Sequence, residues 1–132
     1  MFDNLDVFRM SHAMAVHAGQ RQAVAAENVA NSDTPGFKAR DIAPFSETYR
    51  ADQDKLGVHG QKATRISHIN GTVDAEVPEP FRDPEGVASP NGNTVSLENE
   101  MLKSLNAKRQ HDRALAIYRS SMNILRATLS RS

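Results

Sequence analysis

Cysteine and tryptophan are absent from this chain of 132 residues, and aromatic side chains make up only 5% of it. Without cysteine there is no disulfide framework and no thiolate metal site. With so few large rings and a mean hydropathy of −0.55, a single well-filled globular interior is not expected. No apolar run is long enough to span a bilayer, and no basic-then-apolar leader opens the sequence, so export is expected to use a route that reads no cleaved leader. Proline is missing from both ends. All six prolines lie between Pro35 and Pro90, and five of the seven glycines fall in the same stretch, with Gly92 just beyond it.

That confinement divides the chain into an N-terminal helix over 1–31, an irregular middle over 32–93 and a C-terminal helix over 94–132, one domain overall. In the first part Leu5, Phe8, Ala15, Val16, Gly19, Ala23, Ala26, Val29 and Ala30 recur close to helical spacing, with His12 on the same side. Small residues on this face predict close approach to another helix, and Asp3 or Asn4 is placed to cap its start. In the last part Leu97, Met101 and Leu105 are followed by Leu115, Tyr118, Met122, Leu125 and Leu129 at 3-4-3-4 spacing, the narrow stripe of a coiled-coil seam. Ser96 or Thr94 is its candidate cap, and Glu98 and Glu100 suit the positive end of the helix dipole. The middle is too long for a loop inside a compact domain. Short strands are expected near 63–69 and 72–77. The fold class is therefore mainly α: two long terminal helices pairing as a coiled-coil-like hairpin, joined by a long irregular segment with a few short β-strands.

Charge is balanced overall but unevenly spread. Asp3, Asp6 and Glu27 face Arg9 and Arg21 in the first part. Residues 32–100 hold seven basic and twelve acidic side chains, and residues 101–132 hold seven basic side chains against Asp112 alone. The basic residues of the last part are distributed around a helix with only Tyr118 aromatic among them. They read as a charged helix complementing acidic neighbours rather than as a nucleic-acid groove. The five histidines offer no close helical pair for zinc, since His12 and His17 are five apart and diverge. No nucleophile elbow, phosphate loop or clustered acid pair is present, and Asp52 and Asp54 read as a solvated loop. No cofactor, metal, catalytic residue or small-molecule substrate is expected.

The most specific stretch is A-E-N-V-A-N-S-D-T-P-G-F-K-A-R, residues 26–40. Pro35 stops helical continuation, and Gly36 supplies the positive φ that a type II turn needs. Asn31 reads as a helix terminator, whereas Asn28 lies one turn earlier. It is expected to hydrogen-bond backbone outside its own helix, across a subunit contact or back to the 34–37 turn. Phe37 is either a local staple or a contact with another subunit.

The run Asn28-Val29-Ala30-Asn31, then Thr34-Pro35-Gly36-Phe37-Lys38-Ala39, resembles the N-terminal signature of the flagellar basal-body rod family. Arg40-Asp41, the short length and the run N-T-V-S-L-E-N-E-M (93–101) are most similar to its short proximal type. The resemblance implies a structural subunit whose terminal helices pack side by side in a helical axial tube. Leu5, Phe8, Val16 and Val29 would line the contacts of the first helix, and Leu115, Tyr118, Met122, Leu125 and Leu129 those of the second. It also implies partners: other copies of the chain, related rod proteins, the MS ring, rod-base adaptor proteins and the flagellar export apparatus. The alternatives are another short rod protein, a helical adaptor that binds one partner without polymerising, and a small enzyme or metalloprotein.

Overall fold

The computed structural model describes residues 2–49, 61–62, 71–72, 79–83 and 86–130. Two long helices account for most of them: α1, Phe2–Ala30, and α2, Leu97–Leu129. At a rise of ~1.5 Å per residue they are roughly 44 and 50 Å long. They lie antiparallel, as shown by contacts from Asn28 to Glu100, from His17 to Gln110 and from Phe8 to Tyr118.

Asn31 ends α1 as its sequence position suggests. Its amide is shared between the carbonyls of Glu27 and Asn28, and its side chain donates to Glu27 O at 2.9 Å. The turn then closes with Phe37 N on Thr34 O, and Gly36 sits at φ +74°, where a side chain would be strained. The cap assignments need correction. Because α1 already begins at Phe2, Asp3 and Asn4 lie inside it rather than ahead of it. Ser96 is the N-cap residue of α2 by position, yet its side chain makes no capping hydrogen bond.

Between the helices, β1 (Arg40–Asp41) pairs antiparallel with β4 (Phe81–Arg82), Arg40 opposite Arg82. A second, parallel pair joins β2 (Gln61–Lys62) to β3 (Gly71–Thr72). The strand expected over 63–69 lies outside the described residues; of the one expected over 72–77 only Thr72 is described, at the end of β3, and His59, His68, Asp52 and Asp54 also lie outside them. A helical turn over 45–49 packs Phe45 edge-on against His17 of α1, with ring centroids 5.6 Å apart.

The interior departs from the expected stripes. The buried apolar residues among those described are Ala18, Val24, Ala25, Ala39, Ile42, Ala107 and Ala114. Five of the seven are alanines, so the helices approach closely but remove little apolar area from water. The side of α1 that carries Val16, Gly19, Ala23, Ala26, Val29 and Ala30 is exposed and turned away from α2. On α2, Leu97, Met101, Leu105, Leu115 and Leu129 are exposed, while Met122 and Leu125 are half-buried. Tyr118 of this stripe meets a ring of α1, stacking edge-on against Phe8 at 5.2 Å. The two apolar stripes therefore do not face one another. The cause is polar: Asn28, Arg21 and His17 have partners on α2 and on the 40–43 segment, and satisfying them turns the alanine side inward. The side chain of Leu5 lies outside the described residues.

Candidate functional site

The residues of the signature run converge at one end of the hairpin, where the end of α1 meets the start of α2. Two polar assemblies are built there.

The first is a clasp between two turns. Gly36 N donates to Asn91 O at 3.0 Å, Lys38 Nζ to Gly92 O at 2.6 Å, and Thr94 N to Phe37 O at 3.1 Å. Ala39 N donates to Thr94 Oγ1 at 2.8 Å. At its centre is Asn93, 2% exposed. Its Nδ2 reaches the carbonyls of Asn31, Ser32 and Thr34 at 2.9, 2.9 and 2.8 Å, and its Oδ1 accepts from Val95 N at 2.7 Å. One amide thus covers the carbonyls left open just past α1 and holds the approach to α2. Two glycines serve the second turn. Gly92 sits at φ +80°, where a side chain would be strained, and a Cβ on Gly86 would lie 2.9 Å from the Thr94 Cβ.

The second is a polar lock inside the hairpin. Asn28 is fully buried and uses both ends of its amide. Oδ1 accepts from Arg40 N at 3.0 Å, and Nδ2 donates to Arg40 O at 2.7 Å and Glu100 Oε2 at 3.0 Å. The expectation of a bond to backbone outside its helix therefore holds within the chain, at Arg40 rather than at the 34–37 turn. Glu100 does more than complement a dipole. It is 2% exposed and accepts from Lys103 Nζ at 3.1 Å. Lys103 also pairs with Asp83, and with Asp41 at 3.4 Å. Arg21 grips Asp41 through Nε at 3.2 Å and Nη2 at 3.3 Å.

Burial works against the Lys103 charge, but hydrogen bonds to Asp83 and Glu100 and the nearby Asp41 outweigh it. Its pKa is raised above the ordinary 10.5. A raised cationic pKa stabilises the folded state fully below the unfolded-state value near 10.5, and that contribution is lost as pH rises through the folded value. Thermal stability is therefore expected to fall in alkali above the ordinary lysine pKa. A Lys103→Met variant followed by circular dichroism should lack this phase; an unchanged alkaline loss there would contradict the assignment.

A third contact lies midway along the hairpin. Buried His17 places Nε2 at 2.8 Å from Ala43 O, and Gln110 Nε2 lies 3.2 Å from its Nδ1. Donation from Nε2 to the carbonyl leaves Nδ1 to accept from the glutamine. Both nitrogens are engaged within the fold. His12 is exposed.

The structure thus brings together Asn28, Asn31, Thr34, Gly36, Phe37 and Lys38 of the signature run. The carbonyls of Thr34 and Phe37 serve the clasp, while Pro35, Val29 and Ala30 are exposed and the Phe37 ring is half-buried. Sequence reading singled out Thr94, Asp41, Glu100 and the run that contains Asn93 but missed the roles they play, and it missed Lys103. Among the described residues no group of three or more His, Asp or Glu could hold a metal ion.

This is a long α-helical hairpin, clasped at one end through the T-P-G-F turn, with many of its large apolar residues exposed. Residues 17–38 match the model of the flagella basal body rod protein family. A flagellar basal body rod protein FlgB of Aeromonas hydrophila is 32% identical over 112 residues, covering 85% of this chain and 83% of that protein. FlgB of Escherichia coli (strain K12) is 29% identical over 141 residues, covering 96% of this chain and 99% of its own length. FlgB of Agrobacterium fabrum is 27% identical over 128 residues, covering 96% and 95%. The chain belongs to the flagellar basal-body rod protein family.

Proposed function

We propose that this chain is a structural subunit of the bacterial flagellar basal-body rod, of the FlgB type, and that its work is assembly rather than catalysis. One observation carries the mechanism. The described interior is mostly alanine and polar groups, while Met101 and Leu129 are 69% and 72% exposed. Large apolar side chains left in water are stabilised when a neighbouring subunit covers them. Open, non-closing association of such faces generates a filament rather than a ring.

The helix-packing residues expected from sequence take this outward role. Val16 and Val29 on α1, together with Leu97, Met101, Leu105, Leu115 and Leu129 on α2, are read as contacts between subunits. Phe8, Tyr118, Met122 and Leu125 sit at the seam. Of the signature residues, Asn28 works inside the chain in the lock, and Asn31, Thr34, Gly36, Phe37 and Lys38 in the clasp. The segments 1–31, 32–93 and 94–132 act as one unit through it. Other copies, related rod proteins, the MS ring, rod-base adaptor proteins and the export apparatus are the partners that the family resemblance implies.

A non-polymerising adaptor would need only one outer patch. Here the exposed apolar residues run the length of α2 from Leu97 to Leu129, and the FlgB relatives are matched over most of their length. Both support a rod subunit over an adaptor, and the FlgB type over another short rod protein such as FlgC.

Ala23→Glu and Met101→Asp test the reading because both sites are exposed in the single chain. Each is expected to change the stability of the isolated hairpin by less than about 0.5 kcal/mol. Each should nevertheless abolish swimming when supplied to a strain lacking the protein. Wild-type motility with both variants would contradict an assembly role for these faces.

A further inference from the structure

The alanine face does not by itself decide how far α2 lies along α1. The buried alanines of α2, Ala107 and Ala114, are one heptad apart, and so are Ala18 and Ala25 of α1. If α2 slipped by one heptad, Ala114 would occupy the place of Ala107, Ala107 that of Glu100, and Ser121 that of Ala114. Ile117 would replace Gln110, and Leu125 would come to Phe8 in place of Tyr118. The residues brought to the seam, Ala107, Ala114, Ile117 and Ser121, are small or apolar. The covalent connection imposes no register either, because residues 31–96 separate the helices.

The polar groups at the clasp end do distinguish the two arrangements. The slip would strip Asn28 of Glu100, move Glu100 to the carbonyl end of α1, carry Lys103 away from Asp41 and Asp83, and pull Asn93 off the carbonyls of Asn31, Ser32 and Thr34. Gln110 would leave His17. A buried polar contact that is satisfied in one alignment alone can fix register at some cost in stability.

We infer that the lock (Asn28, Glu100) and the clasp residue Asn93 together form a register selector for the hairpin. The alanine seam lets the helices approach, and the polar end chooses where they stop. The functional consequence rests on the assembly reading, since register sets how the outer face of α1 lines up with the exposed leucines of α2.

The absence of cysteine allows a direct test in the full-length chain. Spin labels on Gln22→Cys and Ala127→Cys, both exposed sites, report the axial offset by pulsed electron resonance on dilute monomer. The parent should show one distance. Adding Asn28→Ala, Glu100→Ala and Asn93→Ala should produce a second population, because a one-heptad slip moves α2 by about 10 Å along the axis. The interlabel distance in that population should be shorter by more than about 5 Å. A single, unchanged distance in this variant, with its helical signal intact, would overturn the inference. If the triple variant loses its helix, the Asn28→Ala/Glu100→Ala pair and Asn93→Ala are read separately. Each is then expected to broaden the distribution, and native distances in both would overturn the inference as well. The monomer readout is independent of rod formation, so failure of the register selector is distinguishable from failure of the assembly role.

Discussion

Asn93→Ala is expected to destabilise the isolated hairpin by about 3 kcal/mol, since net losses near 1 kcal/mol per hydrogen bond accumulate at a buried amide. Three carbonyls, those of Asn31, Ser32 and Thr34, lose a donor, and the Val95 amide loses an acceptor. Alanine fills none of these roles, and the site is too buried for water to substitute freely. A native domain is commonly stable by only about 5–15 kcal/mol, and one with an alanine interior has little apolar burial to offset the loss. Thermal melting by circular dichroism should show the drop. Amide exchange should place the faster opening at residues 28–39 and 93–100, while the Phe8–Tyr118 end changes little. A uniform acceleration along both helices would mean that Asn93 is not a local clasp.

The second large effect concerns Lys103. Its ammonium is the shared partner of Asp41, Asp83 and Glu100, and Glu100 is almost wholly enclosed. Lys103→Met keeps much of the aliphatic stem but leaves Arg21 as the cation that faces Asp41. Removing one member of a buried ionic group destabilises through the uncompensated charge left behind, here by about 3 kcal/mol. Arg40→Ala provides the contrast. Its pair with Glu27 is 3.5 Å long and open to solvent on both sides, so the change should cost less than about 1 kcal/mol. Equilibrium urea unfolding of the two variants checks the ranking. Equal losses would remove the distinction between lock and surface pair.

Much of the architecture was readable from residue order. Proline is confined to the middle, and glycine nearly so, because a straight helix tolerates neither well, and this placed the helix boundaries to within about three residues. The T-P-G-F turn was readable from Pro35 and Gly36, and Asn28 stood out as an amide inside a helical pattern. The side of each helix that packs was not readable. Alanines occur nearly all round α1, at positions 13, 15, 18, 23, 25, 26 and 30, so periodicity offers more than one small-residue face. The choice between them is made by partners remote in sequence. Glu100 lies 72 residues from Asn28, and Asn93 lies 62 from Asn31. A buried glutamate in a first helical turn looks, in sequence, like any residue complementing a helix dipole. The strands β1 and β4 are two residues each and carry no alternation; they form because the clasp and lock hold that segment against the hairpin.

Two long helices joined by alanine and a polar end should be incomplete alone and stable together. The most direct measurement is the thermal melting of the purified chain by circular dichroism across a wide range of concentration. A broad, weakly cooperative transition that sharpens and rises with concentration is the predicted result. A sharp, concentration-independent transition above ~60 °C, as a self-sufficient mesophilic domain can show, would contradict it.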